Sequence, residues 1–188
     1  MRRIREVACT VFVLVALSVT AAGAASVPKC TLTQLSVTSK GPFGAGGTDG
    51  GILLFRNISA HACSLTGYPH VVAVGKTKGS TITASHRTSG MLGGWDSSRL
   101  TPQAPKPPTV ILANRSEVAS DWYQYVEFGP AGYTIFKAST LSIGLSGSTS
   151  AVHVSGSVYA ANGKMWITPF VPGKTGNAEP STTTSSQG

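Results

Sequence analysis

The chain has 188 residues, with 15 lysines and arginines against seven carboxylates, a formal net charge of +8 and 41% hydrophobic residues. That hydrophobic content excludes a chain disordered throughout, and the length suits one domain with a real core. The cations, among them Lys40, Arg56, Lys76, Lys78, Arg87, Arg99, Lys106 and Arg115, are scattered rather than striped with aromatics, which argues against a nucleic-acid reader.

Met1 to Glu6 carry three arginines, Val7 to Ala22 run largely apolar, and small residues lead to Gly23-Ala24-Ala25-Ser26. This is the pattern of a secretory signal peptide, with cleavage expected after Ala25. The apolar run is shorter than the roughly 18–20 residues a membrane span needs, so cleavage is favoured over a retained anchor. Removal of residues 1–25 leaves 163 residues and lowers the net charge to about +6. It also removes Cys9. Cys30 and Cys63 then remain as an even pair in an oxidising compartment, which reads as one disulfide.

Thr31 to Thr38 reads as a short half-buried strand, followed by a glycine-rich hairpin loop over Gly41 to Gly51 that lacks the lysine-serine end of a phosphate cradle. Ile52-Leu53-Leu54-Phe55 is a continuous apolar run, as expected of a central strand buried on both faces. His70 to Val74, the turn Gly75 to Gly79 and a polar strand at Thr81 to Ala84 form a hairpin. Thr101 to Pro108 holds too many prolines for a helix or central strand and reads as a surface connection.

Thr109 to Leu112 and Val118 to Phe128 follow as strands about the turn Ala113-Asn114-Arg115-Ser116. Alternation in the second strand is expected to put Val118, Trp122, Val126 and Phe128 on the core face, with Glu117, Asp121 and Glu127 opposite. Leu141, Ile143 and Leu145, then Val152, Val154 and Val158, repeat with period two. Met165 to Val171 closes the core, with Pro169 at an edge or strand end. No segment offers a 3.6-residue apolar stripe, so short strands punctuated by glycine and proline predict an all-β antiparallel sandwich over 26–173. Residues 174–188, rich in threonine, serine and glycine, are expected to form a disordered tail.

The order of Cys30, an aliphatic strand, Asn57-Ile58-Ser59, Cys63-Ser64-Leu65-Thr66-Gly67-Tyr68-Pro69, Thr109-Val110-Ile111-Leu112 and Thr168-Pro169-Phe170-Val171-Pro172-Gly173 resembles the secreted actinobacterial domain of unknown function 4232. The resemblance covers about residues 30–173, and the cysteine-glycine-tyrosine-proline element is its specific part. It implies an immunoglobulin-like β-sandwich exported to or across an actinobacterial envelope, with no established activity and no catalytic residue to carry over. The chain departs from many relatives in lacking a later cysteine, which strengthens the Cys30–Cys63 pairing, and in its Asn114-Arg115-Ser116 turn.

Candidate chemistry is sparse. His61, His70, His86 and His153 form no pair at helix spacing, so no metal and no cofactor is expected. Gly144-Leu145-Ser146-Gly147-Ser148 sits at a strand end and is not a nucleophile elbow. Asp121 and Glu127, six residues apart on one strand, lie about 20 Å apart, beyond the reach of a glycosidase pair. The sequons at Asn57 and Asn114 are assigned to turns.

Among Trp95, Tyr123, Tyr125 and Trp166, the tyrosines fall opposite the expected core face and are the candidate partner face. The resulting expectation is a secreted or envelope-associated, non-enzymatic binding module, monomeric, not membrane-spanning after cleavage, with an envelope protein or glycan as partner. The alternatives are a secreted hydrolase with a dispersed site around His86, Arg87 and Asp96, and a purely structural module.

Overall fold

The computed structural model describes residues 26–95, 107, 109–115, 117–127 and 134–178. The expected signal peptide, the proline-rich connection apart from Pro107, Phe128, and residues 179–188 of the expected tail lie outside the described residues.

After a single 3-10 turn at Leu32–Gln34, the chain is all strand: β1 (Leu35–Ala45), β2 (Thr48–Asn57), β3 (Cys63–Thr66), β4 (His70–Gly75), β5 (Thr81–Thr83), β6 (Ser85–His86), β7 (Ser89–Gly90), β8 (Gly93–Gly94), β9 (Thr109–Leu112), β10 (Val118–Val126), β11 (Ile135–Gly144), β12 (Ala151–Ala161), β13 (Met165–Ile167) and β14 (Val171–Pro172). Two small sheets pair β3 with β9 and β7 with β8, while of the two main sheets one runs β1-β2-β10-β13-β6, with β14 also on β10, and the other runs β12-β11-β4-β5. All pairings in the main sheets are antiparallel except β13 with β6. The main sheets face each other across one core, and β12 packs on β1 and β10. Among the described residues no helix is long and apolar enough to cross a membrane.

Several expected elements stand where the sequence places them. Ile52 to Phe55 is buried on both faces, and the His70 hairpin forms as β4 and β5. Leu141, Ile143 and Val158 are fully buried, and Val152 and Val154 pack against them. The glycine-rich segment is almost entirely strand, because β1 continues to Ala45 and only Gly46 and Gly47 make the turn. Pro169 falls in the break between β13 and β14. There Thr168 keeps the ladder to β10 continuous: its backbone N–H donates to Trp122 O at 2.9 Å, and its Oγ1 accepts from Trp122 N at 2.8 Å.

The disulfide joins Cys30 to Cys63, with Cα atoms 4.8 Å apart across a separation of 33 residues. Backbone pairing reinforces it: Cys30 N donates to Ser64 O at 2.9 Å and Ser64 N to Pro28 O at 2.8 Å. Asn57, assigned to a turn, is instead the last residue of β2, and its fully buried amide holds the turn that follows. Its Nδ2 donates to His61 O at 2.8 Å and Leu112 O at 3.0 Å, while its Oδ1 accepts from Ser59 N and Ser59 Oγ. Asn57→Ala should therefore cost about 2–3 kcal/mol in denaturant unfolding, because it strands buried carbonyls. A loss below about 0.5 kcal/mol would mean that the network carries no stability.

The face assignment of β10 is reversed. Ala119, Asp121, Tyr123 and Tyr125 point between the sheets, while Val118, Ser120, Trp122 and Gln124 point to the outside of the six-stranded sheet. Tyr123 and Tyr125 are each 1% exposed and belong to the core, so they are not a partner face. The physical reason is that β10 lies between β2 and β13/β14 and is covered on both sides, which leaves eight of its nine residues buried. Apolar alternation cannot choose a face for such a strand. Gly51, directly opposite Tyr123, supplies the room: a Cβ there would collide with the phenol and its hydroxyl.

The tail boundary also moves. Gly176 N donates to Ser120 Oγ at 2.9 Å, Gly94 N donates to Asn177 Oδ1 at 3.0 Å, and Ala178 N donates to Gly94 O at 3.3 Å. Residues 174–178 thus pack on the outside of the sheet. Gly176 sits against the Trp122 indole with φ +70° and no room for a Cβ, so Gly176→Ala should undock this segment. The expected readout is faster proteolysis after residue 173 with the core intact, and an unchanged cleavage pattern would contradict it.

Candidate functional site

The outer face of the six-stranded sheet has two halves. One is apolar and closed: Ile52, Leu54, Val118 and Trp122 form a second small core with Leu92 against it, and Phe43 meets Trp122 edge-on at 5.6 Å. Gln124 holds the covering β7–β8 hairpin, accepting from Leu92 N at 3.0 Å and donating through Nε2 to Gly93 O at 3.2 Å. Composition alone did not reveal this role, since a glutamine in a strand usually faces water.

The other half is an open cleft of about 460 Å³. Its walls follow from register. Ser36, Thr38 and Lys40 are alternate residues of β1, and they face outward because Leu35, Val37 and Ser39 face inward. Arg56 of β2 stands between Ser36 on β1 and Val118 on β10. Lys174 is fixed beside them because Gly173 N donates to Val118 O at 2.8 Å. Leu54 and Val118 form the floor. Three of the lining residues are cations and none is an acid, and among the described residues none of the three cations has an ion-pair partner.

The remaining sequence candidates are dispersed. His86 stacks on Tyr68 with ring centres 4.4 Å apart, Arg87 lies 4.4 Å over Trp166, and Asp96 is outside the described residues. Trp166 is buried beneath Arg87, and Trp95 is half-buried. Among the described residues no three His, Cys, Asp or Glu side chains gather.

Asp121 and Glu127 do not share a polar face. Asp121 is fully buried in the core with both carboxyl oxygens unpartnered. Glu127 is instead hydrogen-bonded to Asp49, which raises its carboxyl above the usual range, and desolvation and the Asp49 charge add to the effect. Burial is the first cause that raises the Tyr125 hydroxyl, followed by Asp49, Tyr123 and Glu127, against a backbone hydrogen bond with Tyr159 that lowers it.

Desolvation pushes the Asp121 carboxyl well above the ordinary carboxylate range. The folded state therefore holds this proton more tightly than the unfolded chain. The associated stability is fully present below the unfolded value near 3.8 and is lost as pH rises through the folded value. Asp121→Asn removes that loss, so the variant should gain on the native chain above pH ~4, by at most about 1.4 kcal/mol per pH unit. Denaturant midpoints across pH 3–8 test this, and parallel curves would refute it.

A family model described as "Domain of unknown function (DUF4232)" matches residues 30–170. The chain belongs to the DUF4232 family. The match spans both cysteines, strands β1 to β13 and the β13–β14 break, so the elements that build the cleft, apart from Lys174, belong to the DUF4232 domain. Comparison with curated proteins and with solved structures finds no match.

Proposed function

We propose that this DUF4232 protein is an exported, non-enzymatic binding module of the cell envelope or secreted fraction that engages its partner through the cleft of Lys40, Arg56 and Lys174. The observation that carries this reading is the grouping of three cations, none with an ion-pair partner among the described residues, along one cleft whose described lining holds no acid. Unneutralised like charges repel one another and are held together at a cost to the fold, so their grouping favours a partner that supplies the opposite charge. The sequence pattern of residues 1–25 and the Cys30–Cys63 disulfide support export.

In-cell cross-linking tests the reading, comparing the native chain with an Arg56→Gln, Lys174→Gln double variant. Charge removal on an exposed surface should leave the fold intact and abolish capture of a specific envelope component. Equal capture by both chains would exclude the cleft. Turnover in a hydrolase screen that survives purification would replace the binding reading with an enzymatic one.

A further inference from the structure

We infer that the ligand of this cleft is a linear anionic glycopolymer, a sugar or polyol chain with a phosphate or carboxylate on each repeat; this rests on the cleft being the binding surface. Length comes first. Arg56 lies opposite Ser36, and Lys40 lies four residues from Ser36 along the same strand, so the two cations are anchored roughly 13 Å apart. A single small anion cannot sit against both at their anchor points, whereas a chain laid along β1 and β2 meets Lys40 at one end and Arg56 with Lys174 at the other.

Chemistry comes second. Thr38 stands between Lys40 and Arg56, with Ser36 beside Arg56, and among the described residues neither hydroxyl forms a hydrogen bond to the protein. They are free to donate and accept along a hydroxylated backbone, and Leu54 and Val118 offer apolar floor to its C–H edges.

The site is also a poor fit for an acidic peptide. Extended peptides draw affinity from main-chain hydrogen bonds at a free sheet edge; here that edge is β1, and a peptide paired to it would lie beside the sheet, away from Arg56 and Leu54 on β2, whose backbone is already hydrogen-bonded to β1 and β10. A flat lipid surface matches a concave cleft no better. Charge-driven contacts of this kind weaken steeply as salt screens them.

The test is direct binding of the purified full chain to four probes: poly(glycerol phosphate), polygalacturonate, poly-L-glutamate and phosphatidylglycerol vesicles. We expect salt-sensitive binding to one or both of the first two, which also separates phosphate from carboxylate. Each of Lys40→Gln, Arg56→Gln and Lys174→Gln should weaken it about 3- to 10-fold, and the triple variant should weaken it by about 30-fold or more. Lys76→Gln with Lys137→Gln, at a separate cleft of about 710 Å³, should leave it unchanged.

Stronger binding to poly-L-glutamate or to vesicles would overturn the glycopolymer assignment, as would binding that the triple variant retains. If the triple variant loses cellular capture while neither glycopolymer probe binds the native chain, the ligand class is wrong but the surface stands. If the triple variant keeps cellular capture, the surface itself is wrong.

Discussion

Truncation of Tyr123 to alanine should destabilise the domain by roughly 3–5 kcal/mol, the range for a large aromatic removed from a packed core, and Tyr125→Ala should act similarly. Both rings are 1% exposed and rank among the largest fully buried side chains. Tyr123 spans the interior, its hydroxyl 3.4 Å from Ser39 Oγ and its ring filling the space left by Gly51. Ordinary domains hold only 5–15 kcal/mol in total, so the double alanine variant should be largely unfolded at 25 °C. Tyr123→Phe keeps the ring and loses one long hydrogen bond, at no more than about 1 kcal/mol. Denaturant midpoints for the three variants decide the matter. Native-like stability of Tyr123→Ala would require a hydrated, loosely packed interior. A partner lost on double truncation would report unfolding and not a docking face, which is why the cleft cations are the informative positions.

Loss of the Cys30–Cys63 bond is the second large effect. Cross-linking residues 33 apart removes unfolded-state entropy worth roughly 3–4 kcal/mol in the chain-entropy model. Cys30→Ala with Cys63→Ala should therefore lower the unfolding free energy by about that amount, plus a smaller packing term because both sulfurs are buried. The loss should not be confined to the bond itself. The strand-like pairing of Pro28 and Cys30 with Ser64 depends on the N-terminal segment being held in place, so amide exchange at Cys30 and Ser64 should accelerate more than at Leu53 or Ile143. A variant within about 1 kcal/mol of the native chain would show that these backbone bonds suffice.

Period-two patterns were legible wherever one face of a strand meets the core. Leu141 and Ile143 on β11 and the valines of β12 were placed correctly because their opposite faces carry serine, threonine or histidine. The same rule failed on β10, because its outer face is closed by segments distant in sequence. Trp122 and Val118 then look as core-like as Tyr123 and Tyr125. Length and residue type therefore identified the strand, and only tertiary structure oriented it. Asp121 misled for a related reason: a lone carboxylate normally marks a solvated face, and here it lies fully buried. The cleft was invisible along the chain. Lys40, Arg56 and Lys174 are separated by 16 and 118 residues, and the pairing of β1, β2 and β10 with the segment after β14 is what assembles them.

The docking of residues 174–178 ties the last described stretch of chain to Ser120 and to the hairpin around Gly94. A polypeptide emerges from a ribosome, or from an export channel, N-terminus first. Phe43 and Leu92 precede Trp122 and can meet it early, but the side of its indole that Gly176 covers stays open until more than fifty further residues have appeared. The domain cannot finish itself while it is being delivered, and any factor that shields aromatic surface at the exit has its longest task at β10.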